Sequence, residues 1–168
     1  MEILHIDYNE ILKNLKISRA SSNLELDLLL TAQKSTTKKM DVLQLIDPNA
    51  IISQNHIRAA YLNAYMNFIE NKNISNNMSM ELLLYLSFTT QINTAIKLSG
   101  IKKSNDFVII SSSEPILRQF CSIANASANP YEHYNNENKN AMLLFGIETE
   151  HAQIEDILLK MSEIKLGE

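Results

Sequence analysis

The amino-acid sequence predicts a mixed α/β fold of the α+β type, with one small central sheet of about four to five strands flanked by about five to six helices. Three observations lead to this prediction. Apolar runs of strand length occur between longer segments in which apolar residues recur three and four positions apart. The 168 residues are 45% hydrophobic and 20% charged, a composition that supports a core of ordinary size. No repeat or biased linker divides the sequence, so residues 1–168 are interpreted as a single domain.

The N-terminal third is predicted to hold three strands and one short helix. Its apolar runs of strand length lie at residues 3–6, 24–30 and 42–46. The second run also suits a buried helical turn, and we favour a strand because the run alternates in part. Asp7 and Glu10 form a capping box for a short helix after the first strand, and the polar segment 34–39 is interpreted as a loop.

The middle of the sequence has a helical period. Ser53 is the predicted N-cap of a helix that ends at residues 71–73. Residues 80–86 are apolar nearly all round, which predicts a helix in the centre of the fold. A polar patch at residues 87–91 interrupts this pattern before a second helical stripe closes on Gly100, which is expected to take the left-handed conformation common at helix C-termini.

The C-terminal third begins with the clearest strand, at residues 106–111. A helix start follows at residues 112–115, where serine, glutamate and proline stand in order. The polar residues 125–140 predict a surface loop. A short helix that Gly146 breaks comes next, and a last helix is expected to begin near Thr149.

The composition argues against several classes of protein. With a net charge of -4, the chain is not expected to coat nucleic acid through charge alone, because backbone affinity comes from Lys and Arg neutralising phosphates. The single cysteine, Cys121, excludes an internal disulfide. The sequence shows neither an apolar stretch of membrane-spanning length nor the basic and apolar start of a signal peptide, so a cytoplasmic location is expected.

The sequence contains few sets of residues that could form a catalytic or metal-binding site. The three glycines cannot build a phosphate-binding loop. His151 and Glu155 stand four apart with Glu150 adjacent, so a surface metal site is conceivable, but we favour a solvated helix start. Cys121 with a histidine would make a catalytic dyad, yet its place on an apolar helix stripe favours a buried thiol. No metal, cofactor or catalytic residue is therefore expected in this chain.

His56 and the polar patch each allow a structural and a functional interpretation. His56 lies in the first turn of its helix close to Arg58 and can meet an anion there, although a structural histidine is favoured. In the patch, Ser87 or Thr89 can cap the second helix while Gln91 covers a backbone group. A helix start surrounded by hydroxyls can also be a binding site for an anion, a sugar or a base edge. These two interpretations of the patch carry equal weight.

Four lysines add positive charge to the loops and helix ends. They are Lys34, Lys38, Lys39 and Lys72. They can form a modest basic rim, and a solvated surface is the favoured interpretation.

Three blocks of the sequence carry a recognisable set of motifs, at residues 46–68, 80–101 and 143–166. The motifs are a helix with a histidine and small residues, then Glu-Leu-Leu, Ser and Gln-Ile-x-x-Ala-Ile, then Phe-Gly-Ile and Glu. The matching residues here are His56, Ala59, Ala60, Ala64, Glu81, Ser87, Gln91, Ile92, Ala95, Ile96, Phe145, Gly146, Ile147 and Glu150. With this order and spacing across residues 42–166, the chain resembles the small subunit of the KEOPS (EKC) complex related to the PRPK-binding protein, in its archaeal form.

The resemblance implies a non-catalytic role in making N6-threonylcarbamoyladenosine in tRNA. Members of that family bind the kinase-like ATPase subunit of the complex and, in archaea, help recruit tRNA by holding its single-stranded 3′ CCA end. Such ends are bound by stacking and hydrogen bonds in a pocket, so the acidic net charge is compatible. The residues expected at the RNA are the polar seat of His56, Ser87, Thr89, Thr90 and Gln91, the nearby charges of Arg58 and Lys72, and Phe88.

Phe88 is the one departure from the family pattern that bears on this role, because the family usually has Gly there. If that glycine lets a ligand approach the backbone, the approach is narrower in this chain. The Phe88 ring can instead offer a stacking face for a base.

The kinase-like partner needs an apolar patch, which we assign to the last helix and to the helix at residues 116–123. The residues expected to form this patch are Ile116, Phe120, Ile154, Leu158 and Met161. Packing of both stripes on the sheet is the alternative that accounts for most of them.

Two other hypotheses stay open for the whole protein. One is a purely structural adaptor of the kinase-like subunit that does not bind RNA, and Phe88 is the residue that favours it. The other is a small-molecule enzyme that uses His56 and Glu81, which requires both groups in one closed pocket.

Overall fold

The structure is a computed structural model that describes residues 7–132, 138–147 and 154–166. The described strands are β1 (Lys16–Ser22), β2 (Leu43–Ile46), β3 (Phe107–Ser111) and β4 (Ala126–Pro130). They form one antiparallel sheet in the spatial order β2-β3-β1-β4, so β2 and β4 are its edges.

Helices cover both faces of this sheet. The described α-helices are α1 (Tyr8–Lys13), α2 (Leu26–Thr36), α3 (Gln54–Ile69), α4 (Met78–Leu86), α5 (Ile92–Ser99), α6 (Glu114–Ile123), α7 (Lys139–Leu144) and α8 (Ile154–Leu166), with a 3-10 turn at Pro48–Ala50. The predicted α+β class is confirmed, with more helices than the sequence pattern indicates. Within the described ranges, no helix has the length and apolar character needed to cross a bilayer.

The strand β3 divides the interior into two cores. All five of its residues are buried, and successive side chains of a strand point to opposite faces. Val108 and Ile110 face a core built with α3, α4, α7 and α8. Phe107 and Ile109 face a second core, built with α2 and α6. The molecule is therefore layered as helices, sheet and helices.

Several elements form where the sequence predicts them. Asp7 caps α1, because its carboxylate accepts from the backbone N–H groups of Asn9 and Glu10. Ser53 caps α3 by accepting from the N–H of His56 at 3.1 Å. The strands predicted at residues 42–46 and 106–111, the two helices around the polar patch and the helix start at residues 112–115 are also confirmed.

The predicted strand at residues 24–30 is wrong, and the loop predicted at residues 34–39 is confirmed only for residues 37–39. Residues 26–36 form α2 rather than a strand and a loop. Leu29, Ala32 and Thr36 lie three and four apart, and all three side chains are buried on the face that α2 turns to the sheet. The apparent alternation within residues 24–30 therefore reflects one buried stripe of a helix.

Two strands lie where the sequence pattern indicates none. β1 has Lys16, Arg19 and three serines among its seven residues, and β4 falls inside the segment 125–140 that the turn-rich composition assigns to a loop. Much of β4 faces solvent, whereas in β1 only Arg19 and Ser21 are exposed and the buried Ser22 donates to the carbonyl of Ala124. The run at residues 3–6 and the predicted helix start near Thr149 lie outside the described residues.

Gly100 ends α5 for a different reason from the one expected. Its φ is -63°, so it does not adopt the left-handed conformation. A Cβ at this position would lie 2.6 Å from the backbone oxygen of Ile96, closer than two such atoms can approach. Glycine is needed here because the chain turns directly against the last turn of α5.

Candidate functional site

Three aromatic rings meet where the start of α3 packs against the end of α4. His56 and Phe88 are stacked, with ring centroids 5.1 Å apart and an interplanar angle of 1°. Phe145, just after α7, contacts both rings edge-on, at 5.9 Å from His56 and 5.0 Å from Phe88. The three rings, called the aromatic cluster below, hold α3, α4 and α7 together.

The backbone of Phe88 has a conformation that favours glycine at this position. Ser87 is the C-cap of α4, and Phe88 follows it with a φ of +50°, in the left-handed region that side chains disfavour. The N–H of Phe88 donates to the carbonyl of Tyr85, and the N–H of Thr89 donates to that of Leu84. This pair of bonds is the Schellman motif, whose left-handed residue is most often Gly. Helix termination alone would therefore account for a glycine at this position, without a ligand near the backbone.

His56 is fully buried and neutral. Its Nδ1 accepts from the backbone N–H of Ile52 at 3.3 Å, so the neutral ring carries its proton on Nε2. Burial lowers the pKa of His56 to about 3, while the Leu86 carbonyl acts in the opposite direction without reaching hydrogen-bond geometry to Nε2. The expectation that His56 meets an anion is therefore not supported, and the exposed Arg58 is the cationic group at this end of α3.

The hydroxyls of the polar patch do not cap α5. Ser87 is buried, and its Oγ lies 2.7 Å from Ser99 Oγ and 3.3 Å from the carbonyl of Ala95, which ties the end of α4 to α5. Thr89 Oγ1 accepts from the N–H of Gln91 at 3.2 Å. Gln91 is itself the N-cap of α5, and its side chain makes no capping hydrogen bond. Both capping residues proposed from the sequence are therefore wrong.

The outer part of the patch remains open to solvent. Thr90 and Gln91 are exposed, and Phe88 and Thr89 are half-buried. Gln91 Oε1 accepts only from Thr94 Oγ1 among the hydrogen bonds of the described residues, at 3.3 Å. With no side-chain cap, the first N–H groups of α5 are left to meet solvent or a ligand. We refer to Phe88, Thr89, Thr90 and Gln91 with the start of α5 as the helix junction.

Lys72 does not belong to the helix junction. It follows the C-terminal end of α3, and His56 lies in the first turn of that helix. At 1.5 Å of rise per residue, the two positions are separated by roughly 24 Å along the axis. The ammonium of Lys72 pairs with Glu70 at 2.8 Å, so its charge is partly compensated.

Glu81 organises the loop between α3 and α4 and does not face His56. Its Oε2 accepts from the backbone N–H groups of Ile74 and Ser75 at 3.0 and 2.8 Å. Asn67, near the end of α3, lies 3.5 Å from its other oxygen and also donates to Tyr85 Oη. Burial, followed by the nearby Glu81, raises the pKa of Tyr85 to about 12. Glu81 and His56 therefore lie at opposite ends of α3, and the pairing needed for the enzyme hypothesis is not present.

The residues expected to dock a partner are separated by the sheet. Phe120 in α6 is fully buried in the core with α2, and Met161 in α8 is buried in the core with α3. Ile116 is half-buried and Leu158 is exposed, on opposite faces. The side chain of Ile154 lies outside the described part. The five residues therefore do not form one continuous surface.

The structure gives no support to the other candidate sites, the catalytic Cys121 and the metal site around Glu155. Cys121 is half-buried, and burial followed by the charge of Glu114 raises the pKa of its thiol, which makes the thiolate scarce. Glu155 is exposed, and Glu150 and His151 lie outside the described residues. Among the residues that the structure describes, no group of three or more His, Cys, Asp or Glu could hold a metal ion.

The structural roles of two residues at this site, Phe145 and Ser99, were not predicted from the sequence. Phe145 is the third ring of the aromatic cluster, although it was noted only as a motif residue, and the signal that identifies it is its place directly before Gly146, which has a φ of +69°. Ser99, the last residue of α5, is the partner of Ser87 at the end of α4. Both contacts depend on how separate helices pack together, so periodicity alone does not reveal them.

Comparison with known proteins agrees with the motifs. None of the curated proteins compared with this sequence matches it significantly. The sequence does match the family described as "Kinase binding protein CGI-121" over residues 19–165. The match covers β1 from Arg19 onward, the other three described strands, the aromatic cluster and the helix junction. The chain therefore belongs to the CGI-121 family of kinase-binding proteins.

Proposed function

We propose that this protein is the small, non-catalytic subunit of a KEOPS-type complex that makes N6-threonylcarbamoyladenosine in tRNA. In this role it binds the kinase-like ATPase subunit and recruits tRNA through the 3′ CCA end. The observation that carries the proposal is the family match over residues 19–165, which supports binding to a kinase. The role in tRNA modification rests on the motif blocks that resemble the KEOPS subunit.

The helix junction is the surface that best suits the RNA end. Exposed Thr90 and Gln91 offer hydroxyl and amide groups to base edges and sugars, and the uncapped start of α5 offers N–H groups to a phosphate. Arg58 adds a cation on the exposed side of α3. Phe88 is half-buried and one face of its ring stacks on His56, so only the remaining exposed part of the ring is available to a base.

His56 contributes to this surface through Phe88. A fully buried neutral ring cannot touch a phosphate, yet its stacking on Phe88 fixes the direction in which the α4 to α5 connection leaves the helix. We therefore assign His56 and Ser87 as positioning residues and Thr90 and Gln91 as the contacts.

The kinase-like partner fits best on the side of α7 and α8. Four leucines there have exposed side chains, and their exposed fractions are 63% for Leu143, 45% for Leu144, 46% for Leu158 and 66% for Leu159. The side chain of Lys160, in the middle of α8, reaches the turn after α7, because a Cβ at Gly146 would be 3.9 Å from Lys160 Nζ. Exposed apolar side chains such as these leucines are typical of a protein interface.

Electrophoretic mobility with full-length tRNA and with the same tRNA lacking its last three nucleotides tests the RNA part. We expect binding to the intact tRNA only, and a loss of about tenfold or more in affinity for Gln91→Ala and Arg58→Gln. Lys72→Gln is the matched control, since it removes one positive charge at the far end of α3. Equal affinity for both tRNAs would refute recruitment through the CCA end.

Co-purification with the kinase-like ATPase subunit tests the other part. Leu158→Asp with Leu159→Asp is expected to abolish the complex, and Ile123→Asp on α6, across the sheet and also exposed, is the control. Retention of the kinase together with absence of tRNA binding would favour the second candidate, a purely structural adaptor. That candidate is favoured by the Phe88 ring in place of the usual glycine and by burial of Ser87.

A further inference from the structure

A cavity of about 450 Å³ lies beside β2, which is an edge strand of the sheet. It is bounded by the C-terminal half of α2, the first turns of α4 and the end of α5. Its apolar walls include Leu30, Leu45, Met80 and Ile96. The volume lies within the range of pockets that bind small molecules, about 300–1,000 Å³. Neither Phe88 nor Gln91 lines it, so the cavity is separate from the helix junction.

Side chains close the edge of β2 at this cavity. Ser79 Oγ accepts from the N–H of Leu43 at 3.0 Å, and Gln33 Nε2 donates to the carbonyl of Leu43 at 2.8 Å. Ser79 and Gln33 are themselves lining residues. The N–H and carbonyl of Leu43 are thus already bonded, so an added strand could not pair with β2 at this residue.

Three lysines give the cavity its charge. Lys34, Lys38 and Lys39 line it, and no Asp or Glu does. Within the described part of the chain, the ion pairs involve none of these three ammonium groups. Asp41, the nearest carboxylate in sequence, accepts from the backbone N–H of Lys38 at 3.0 Å rather than from an ammonium. In a chain of net charge -4, this uncompensated positive charge is concentrated at one opening.

We propose that the cavity binds a small organic phosphate with a flat, largely apolar body, of the size of a nucleoside 5′-monophosphate. The phosphate meets the three ammonium groups at the opening. The body lies between the apolar walls, where the adaptable side chain of Met80 and the exposed side chain of Ile96 can pack on a ring. Phosphate alone should bind weakly because it makes no contact with the apolar walls. An uncharged apolar body alone should also bind weakly because it leaves the ammonium groups unpaired.

Isothermal titration calorimetry of the full chain with AMP, adenosine and inorganic phosphate tests this proposal. AMP is expected to bind at least about tenfold more tightly than adenosine or phosphate. The double variant Lys34→Gln with Lys38→Gln is expected to weaken AMP binding by about tenfold or more and to leave adenosine binding unchanged. Ile96→Trp, which fills the opening from an exposed position, is expected to abolish binding of both AMP and adenosine.

Two controls separate this site from the rest of the molecule. The double variant Lys13→Gln with Lys72→Gln removes an equal charge from exposed positions outside the cavity, and Gln91→Ala alters the helix junction, so both should bind AMP like the wild type. Absence of AMP binding, or AMP binding that survives both Ile96→Trp and the double lysine change, would overturn the proposal. Loss of AMP binding in Gln91→Ala would also overturn it, since the nucleotide would then occupy the helix junction.

Discussion

The left-handed backbone conformation of Phe88, just after α4, can be tested by comparing the stabilities of its alanine and glycine variants. Their usual order should be reversed at this position. In a helix or strand, Gly is less stable than Ala by about 0.5–1 kcal/mol. At a φ of +50°, a Cβ costs about 1–2 kcal/mol, against about 0.4–1 kcal/mol gained from the less flexible unfolded chain. We therefore expect Phe88→Gly to be more stable than Phe88→Ala by about 1 kcal/mol.

Both variants should be less stable than the wild type, because both lose the same ring. A fully buried Phe→Ala change costs about 3–5 kcal/mol, and Phe88 is half-buried with two ring partners worth about 0.5–1.5 kcal/mol each. A loss of about 2–3 kcal/mol for Phe88→Ala and about 1–2 kcal/mol for Phe88→Gly follows. The difference between the variants corresponds to roughly 2–4 °C in Tm.

Urea unfolding followed by far-ultraviolet circular dichroism measures these free energies. The matched control is Gln119→Ala against Gln119→Gly, at an exposed position inside α6, where alanine should be the more stable by about 1 kcal/mol. If Phe88→Ala equals or exceeds Phe88→Gly while the control pair behaves normally, the left-handed conformation of residue 88 is refuted.

Three further predictions concern stability. The pKa of His56 is about 3 in the folded state and 6.5 in the unfolded state, so the unfolded state binds more protons between these values. The free energy of unfolding should therefore fall by about 1.4 kcal/mol per pH unit as the pH drops below about 6.5. His56→Phe should flatten this slope in unfolding measured from pH 7 to 5. Glu81→Gln removes the charge that accepts from the N–H of Ser75 and should destabilise by about 1–3 kcal/mol in the same urea assay, and an unchanged midpoint would show that the loop does not need the carboxylate. Gly100→Ala places a Cβ against Ile96 and should lower stability by about 1–3 kcal/mol, seen as a lower Tm; no loss would mean that the turn relaxes freely.

Elements with strong local signals could be predicted from the sequence. Ser53 and Asp7 mark helix starts through their own side chains, and β3 is a continuous apolar run because it is buried on both faces. The strands β1 and β4 could not, since pairing with neighbours rather than apolar content makes them strands. For α2, the short apolar run is compatible with either period, and only the sheet beneath it decides.

The proximity of His56 to the polar patch could be predicted from the sequence, whereas the contacts that each group makes could not. The polar patch and His56 do come together, as the motif order implies. The roles of the groups depend on tertiary geometry, because Ser87 bonds to Ser99 instead of capping α5, and His56 is buried by rings from two other segments. Local sequence does not encode the positive φ of Phe88 either, since phenylalanine disfavours it.

The aromatic cluster also constrains the order in which substitutions at this helix end can be accepted. A side chain at position 88 is unfavourable until flat partners are present to stack on it, so His56 and Phe145 must precede an aromatic residue there. Once Phe88 is in place, loss of either partner leaves a strained residue without its compensation, and glycine becomes the favoured replacement. Among related sequences, an aromatic residue at position 88 should therefore occur only together with rings at positions 56 and 145, whereas glycine at 88 is compatible with their presence or absence.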